Sequence, residues 1–165
     1  MGNRHRRGTF IPNFVPSAAF VEVFSMMKIK EIMSDNVAIA APTDKIQKVA
    51  QKMAEIGSGF IPVGENDRLV GMVTDRDIVV RAVAKGKAPG KCVVRDVMSP
   101  DVMYCFEDET IEDAARNMAT LQVKRLPVLS RDKRLVGVVS LGDLACEPEA
   151  EEHSKEALLG ISQPV

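Results

Sequence analysis

The sequence predicts a mixed α/β (α+β) protein made of two pseudo-symmetric β-α-β-β-α units that pack on each other through their sheets. Three observations predict this fold. The chain repeats itself once, each copy alternates strand-like and helix-like segments in the same order, and one copy alone is too small to cover its own sheet. The 165 residues, 45% of them hydrophobic and 27% charged, have the length and composition of a folded globular protein.

The internal repeat is the strongest signal in the chain. A shift of 65 residues aligns positions 28–63 with positions 93–128. One inserted residue later, RLVGMVTDRD at 68–77 matches RLVGVVSLGD at 134–143. Two copies of one structural unit are therefore expected.

Each copy contains the same series of predicted elements, with apolar residues at strand or helix spacing. The elements of the first copy are a short helical piece at Ile29–Met33, a strand at Val37–Ala40, a helix with apolar positions from Ile46 to Met53, strands at Phe60–Val63 and Leu69–Thr74, and a helix from Asp75. Those of the second copy are Val94–Met98, Val102–Phe106, Ile111 to Met118, Leu126–Leu129, Leu135–Ser140 and a helix from Leu141. Thr43-Asp44 and Asp108-Glu109 are expected to cap the two longer helices.

Composition divides the chain into five segments. They are a flexible leader (1–27), a first unit (28–84), a linker (85–93), a second unit (94–146) and a charged C-terminal helix with a tail (147–165). Prolines interrupt the apolar residues of the leader, so neither export nor membrane anchoring is expected, and a chain that starts at Met26 should fold like the whole. Gly160 and Pro164 are expected to end the C-terminal helix.

Charge and composition exclude several classes of function. The net charge of -1 disfavours nucleic-acid binding, and aromatic residues make up only 4% of the chain. Three cysteines without C-x-x-C spacing and two histidines near the chain ends predict no disulfide framework, no metal site and no catalytic triad. A cytoplasmic protein is the simplest interpretation, with Cys105 as a buried thiol, whereas Cys92 and Cys146 could be exposed.

One motif recurs in register at the end of the second hairpin strand of each copy. It reads Gly-apolar-apolar-hydroxyl-x-x-Asp, with Thr74 and Asp77 in the first copy and Ser140 and Asp143 in the second. A hydroxyl followed three residues later by an acid fits a capping box, which needs no ligand. The same carboxylate can accept hydrogen bonds from two ribose hydroxyls, and a helix N-terminus favours phosphate. The two roles can coexist.

The two copies together resemble a tandem pair of cystathionine-β-synthase (CBS) domains, also called a Bateman module. The resemblance covers about Lys28 to Ala145 and depends on Met-Ser near the start of each copy, Ile/Leu-Pro-Val in the middle, and the motif above. It implies a regulatory module without chemistry of its own and without a required cofactor. Its two clefts would bind an adenosine-containing ligand such as AMP, ADP, ATP, NAD or S-adenosylmethionine. Two such pairs would form a homodimer that signals to an effector protein. The helices after the two motifs and the Ile46–Met53 and Ile111–Met118 stripes would supply its apolar interface.

The resemblance also implies ligand contacts. Asp77 and Asp143 correspond to a ribose-binding carboxylate, and Thr74 and Ser140 to hydroxyls near ribose or phosphate. The base would lie against the first strand and the Pro-Val strand, with the expected contacts Ile39, Ile61, Pro62, Tyr104, Leu126 and Pro127.

Cations for a phosphate are available in both copies, at Arg76, Arg81, Lys124 and Arg125. Because Gly142 stands where the first copy has Arg76, the two clefts should differ. The cleft at Asp77 is expected to prefer the more highly phosphorylated ligand if Arg76 points inward.

Three hypotheses from different classes follow. The first is a sensor that binds an adenine nucleotide and relays its presence to a partner protein. The second is a ligand-free dimeric scaffold, because capping explains the same motif residues. The third is an enzyme, which is disfavoured because no pair of nucleophile and base and no metal cluster can be assembled from the sequence.

Overall fold

The computed structural model describes residues 27–164. Its α-helices are α1 (Ile46–Ile56), α2 (Asp75–Arg81), α3 (Ile111–Leu121), α4 (Leu141–Cys146) and α5 (Glu151–Ile161). Its strands are β1 (Phe60–Glu65), β2 (Arg68–Thr74), β3 (Cys105–Phe106), β4 (Arg125–Leu129) and β5 (Leu135–Ser140). Single 3-10 turns lie at Ile29–Glu31, Val83–Lys85, Val94–Asp96 and Pro148–Ala150. The expectation for a chain that starts at Met26 falls on the leader, which lies outside the described residues apart from Met27.

The predicted pair of similar units is confirmed. In each unit an antiparallel hairpin, β1–β2 or β4–β5, forms the sheet, and in the second unit β3 pairs in parallel with β4. The predicted strand at Val37–Ala40 is wrong in extent, because it pairs with β1 only through a parallel bridge between Ala40 and Val63. Val37 and Ala38 border a cleft instead of a neighbouring strand.

The apolar stripes of the two longer helices are confirmed as core faces. Helix α1 buries Ile46, Val49 and Met53, and α3 buries Ile111, Ala114, Ala115 and Met118. Each fully buried Ile side chain contributes roughly 1.5–3 kcal/mol through removal of apolar surface from water.

The predicted caps of these helices are wrong. Helix α1 begins after Lys45, whose side chain makes no capping hydrogen bond. Helix α3 begins after Thr110, which forms a reciprocal capping box with Asp113. Asp44 accepts a hydrogen bond from the Ala41 amide at 2.9 Å, which stabilises the turn before α1, and its Oδ1 atom lies 3.6 Å from the Lys48 ammonium of α1.

The two units exchange their leading segments. Ile29 is fully buried in the core of the second unit, whereas Val94 and Val97 are buried in the core of the first. The backbone follows the same exchange, because Ser34 pairs with Val138 of β5 and Ser99 pairs with Met72 of β2. Each unit therefore needs the other to complete its core.

The motif glycines allow this exchange. A Cβ atom on Gly137 would lie 2.6 Å from the Met33 sulfur, and one on Gly71 would lie 2.8 Å from the Met98 sulfur. The glycines thus leave room for a methionine of the other unit, which fills the gap with its flexible thioether.

The C-terminal helix α5 covers the second unit. Gly160 lies inside α5, so the prediction that it ends the helix is wrong. A Cβ atom there would overlap with the Ala119 Cβ atom and lie 2.8 Å from its Cα atom, so glycine is needed for the close approach of α5 to α3. The helix ends with Ile161, and in the described part of the chain no helix is long and apolar enough to span a membrane.

Candidate functional site

A cleft of about 250 Å³ lies between the two units. Its walls come from the segment after the first 3-10 turn, the start of β1, the start of β4 and the junction of β5 with α4. The residues that line it include Ser34, Val37, Ala38, Phe60, Pro62, Arg125, Ser140 and Asp143. Since Ser34 pairs with Val138, the exchange of leading segments places the first unit against the motif of the second.

Four of the predicted contact residues meet in this cleft, namely Pro62, Arg125, Ser140 and Asp143. The cleft is therefore mixed: the Pro-Val strand of the first unit faces the motif aspartate of the second. Val37, Ala38 and Phe60 belong to the segments expected to hold a base.

Other predicted contacts lie elsewhere. Ile39 and Ile61 border a separate groove of about 400 Å³ along α1. Leu126 is in the core of the second unit, and Pro127 is buried. Tyr104 lies on the surface, where its hydroxyl is 2.6 Å from the Lys133 ammonium.

The Asp143 carboxylate uses one oxygen for the helix and leaves the other available. Its Oδ2 atom accepts hydrogen bonds from the Ser140 amide and hydroxyl, both at 2.7 Å. The Asp143 amide donates to the Ser140 hydroxyl at 3.1 Å. No donor in residues 27–164 reaches Oδ1, so this residue keeps an acceptor oxygen at the wall of the cleft.

The first unit has the same capping box but a different outer contact. Asp77 Oδ2 accepts from the Thr74 amide at 2.9 Å and from its hydroxyl at 2.8 Å. Its Oδ1 atom lies 3.4 Å from the Arg81 guanidinium. Arg76 is exposed on α2, so it is Arg81 that engages the motif aspartate.

A third capping box shows that the local geometry alone does not indicate a ligand site. Thr110 and Asp113 bond reciprocally at the start of α3, with Asp113 Oδ2 accepting from the Thr110 hydroxyl at 2.8 Å. Neither residue borders the cleft. The capping role of the motif is thus confirmed, and the position of Asp143 at the cleft is the additional feature.

Sequence reasoning missed Ser34 and Ser58, whose side chains also contribute to the cleft wall. Ser34 belongs to the recurring Met-Ser pair, which was the available signal. Its placement depends on pairing with the other unit, and no local pattern encodes that pairing.

The buried thiols are unsuited to nucleophilic chemistry. Burial raises the pKa of Cys105 from its ordinary value of 9.0 to about 12. Burial, followed by the hydrogen bond to Asp96, also raises the pKa of Cys92. Cys92 is only 6% exposed, so the expectation that it could be exposed is wrong, whereas Cys105 and Cys146 are placed as expected.

Metal ligands do not cluster in the described part of the chain. Between residues 27 and 164, no three His, Cys, Asp or Glu side chains are close enough together to hold a metal ion.

Comparison with known proteins agrees with the fold and the repeat. A family model described as CBS domain matches residues 29–83 and again residues 94–147. The CBS domain-containing protein YhcV of Bacillus subtilis is 39% identical over 137 residues, which cover 83% of this chain and 96% of that protein.

Two solved structures are also similar. The crystal structure of Hypoxic Response Protein I with two coordinated zinc ions has a TM-score of 0.66 and 33% identity, and covers 72% of this chain and 97% of that chain. The CBS domain pair of protein MJ0100, in complex with 5′-methylthioadenosine and S-adenosyl-L-methionine, has a TM-score of 0.65 and 25% identity, and covers 73% of this chain and 94% of that chain. This chain belongs to the CBS domain family and carries two CBS domains in tandem.

Proposed function

We propose that this protein is a regulatory sensor that binds an adenosine-containing ligand in the cleft at Asp143 and relays its presence to a partner protein. The candidate ligands are AMP, ADP, ATP, NAD and S-adenosylmethionine. The observation that carries the proposal is the meeting of Ser140, Asp143 and Arg125 of the second unit with Pro62 of the first in one cleft. The three free thiols support a cytoplasmic location.

Each part of the cleft suits one part of such a ligand. The available Oδ1 atom of Asp143 can accept hydrogen bonds from ribose hydroxyls. Val37, Ala38 and Pro62 provide an apolar surface for a base, and Arg125 provides a cation for a phosphate or carboxylate at the exposed rim.

The size of the cleft favours a small member of the ligand class. Its volume of about 250 Å³ is below the roughly 300–1,000 Å³ typical of small-molecule sites. A nucleoside or nucleoside monophosphate therefore suits it better than a dinucleotide. The complex of MJ0100 with two adenosyl compounds supports this ligand class in a related CBS pair.

A ligand-free dimeric scaffold is the second candidate. The capping boxes favour it, because they give both motif aspartates a structural role that requires no ligand.

A thermal-shift screen of the full chain with the five candidate ligands separates the two functions. A ligand at one hundred times its dissociation constant should stabilise the folded state by about 2.7 kcal/mol. A scaffold would show no shift with any of the five.

The matched variants Asp143→Ala and Asp113→Ala then test the site. Both remove a capping box and should lower the free energy of unfolding by ~1 kcal/mol. Asp143→Ala should in addition weaken ligand binding by ~1.5–3 kcal/mol, the range for hydrogen bonds to charged groups. Equal affinities of the two variants, measured by calorimetry, would contradict a ribose contact at Asp143.

We also propose that the chain forms a homodimer through the first unit. The Ile46–Met53 and Ile111–Met118 stripes were expected to contribute to the interface together with the helices after the motifs, but both stripes are buried in the cores of their units, and α5 also packs on α3. The corresponding face of α1 and α2 is open. It forms a groove lined by Ala50, Met53, Ala54 and Val79, beside which Val79 and Val80 of α2 are exposed.

A further inference from the structure

The two CBS domains differ at the residue four positions after the motif aspartate. In the first domain this residue is Arg81, and in the aligned second domain it is Glu147. The Arg81 Nη1 atom donates hydrogen bonds to the carbonyl oxygens of Val97 at 2.7 Å and Met98 at 2.9 Å, and to the Ser99 hydroxyl at 3.1 Å. Its Nη2 atom lies 3.4 Å from Asp77 Oδ1.

The internal repeat shows that Arg81 occupies the position in the first domain that corresponds to the cleft at Asp143. Ser99 aligns with Ser34, and Asp77 aligns with Asp143. Ser34 and Asp143 both line the cleft between the domains. On the opposite side of the pseudo-symmetric pair, Arg81 therefore contacts Ser99 and Asp77. These residues are the counterparts of Ser34 and Asp143 in the cleft.

A ligand could not use the Asp77 side without displacing this guanidinium. Displacement would break the hydrogen bonds to two backbone carbonyls and the contact with a carboxylate that is only 16% exposed. Partly buried acceptors that lose their donors are costly. Glu147 carries a carboxylate, which has no donor for the corresponding carbonyls of Ile32 and Met33.

We propose that Arg81 closes the cleft at Asp77, so that each chain binds one adenosine-containing ligand, at Asp143. This inference depends on the proposed function. It also replaces the expectation that Arg76 makes the first cleft prefer a more highly phosphorylated ligand, because Arg81, and not Arg76, reaches Asp77 and takes the place of a ligand.

Calorimetric titration of the full chain with each of the five candidate ligands tests the closure. The wild type should bind one ligand per chain, and Asp143→Ala should weaken binding at that site about 10- to 150-fold. Arg81→Met should bind two per chain, and a further Asp77→Asn change should remove the second site. The control is Arg95→Met, which removes a surface arginine paired with Glu65 and should leave the stoichiometry at one.

The outcomes separate the closure from the proposed function. Two sites in the wild type, or one site in both wild type and Arg81→Met, would overturn the closure and leave the sensor function standing. Binding by Arg81→Met alone, sensitive to Asp77→Asn, would support the closure and refute the Asp143 site. Binding by neither protein would overturn both proposals. If Arg81→Met does not fold, Arg81→Lys replaces it in the test. Lysine keeps the charge but lacks the planar fork of donors, so this variant should also open the site.

Discussion

Asp77 and Asp143 have the same helix-capping geometry but differ in the surroundings of their second carboxylate oxygen. Asp143 keeps Oδ1 available beside a cleft, whereas the Oδ1 atom of Asp77 lies 3.4 Å from a guanidinium. The recurring motif therefore identifies a helix start in both domains. The residue four positions later decides what else each carboxylate can do.

The Cys105 thiol predicts a pH dependence of stability. Its pKa is raised by burial from 9.0 to about 12, so below pH 9 both the folded and the unfolded states hold the proton. Between pH 9 and about 12 the unfolded state releases the proton and the folded state retains it, and the free energy of unfolding falls as the pH rises. The full loss is ~4 kcal/mol, since one pKa unit corresponds to about 1.4 kcal/mol.

Urea unfolding at a series of pH values from 8 to 11 checks this prediction. Other side chains also contribute to the pH dependence of stability, so the comparison is with Cys105→Ala, in which the contribution of this thiol is absent. The wild-type free energy should fall more steeply with pH than that of the variant. Parallel slopes would show that the thiol ionises equally in both states.

Among the elements, the helices were easier to predict than their ends. The stripes of α1 and α3 depend on residues three and four positions apart, which the sequence displays directly. The start of α3 depends on which hydroxyl residue has an acid three positions later. Thr110 and Asp113 form this capping box, and the predicted Asp108 and Glu109 do not.

The close contact between α5 and α3 predicts that any side chain larger than that of glycine at position 160 destabilises the protein. Gly160→Val should lower the free energy of unfolding by about 1–3 kcal/mol, because the added side chain would overlap with Ala119 and force α5 away from α3. The matched control is Gly142→Ala, whose Cβ atom would meet only the Ser140 hydroxyl, at an ordinary 3.4 Å. In urea unfolding, the free energy of unfolding of the control should lie within about 1 kcal/mol of the wild-type value. Equal stability of Gly160→Val would mean that α5 does not pack closely on α3.

For the whole molecule, the internal repeat made the pair of domains predictable, but it did not predict that the two domains exchange their leading segments. The amino-acid sequence itself shows the duplication, the motif and the strands that border the cleft. The pairing of Ser34 with Val138, which joins these parts into one site, links positions far apart in sequence with no local pattern. For the same reason, the contact of Gly137 with Met33 became apparent only from the structure.

The open face of α1 and α2 predicts the effect of a charge on assembly. Val79 is 56% exposed in the single chain, and in the proposed homodimer it would be buried against the second copy. Val79→Glu should then weaken dimerisation by ~3 kcal/mol or more, because an unpaired charge would enter the interface. Light scattering at micromolar concentration should show a mass near twice 18.0 kDa for the wild type and near 18.0 kDa for the variant. The matched control is Leu159→Glu, at a 57% exposed position on α5, which should remain dimeric. A monomeric control with a dimeric Val79→Glu would place the interface on α5, and a monomeric wild type would exclude the dimer at that concentration.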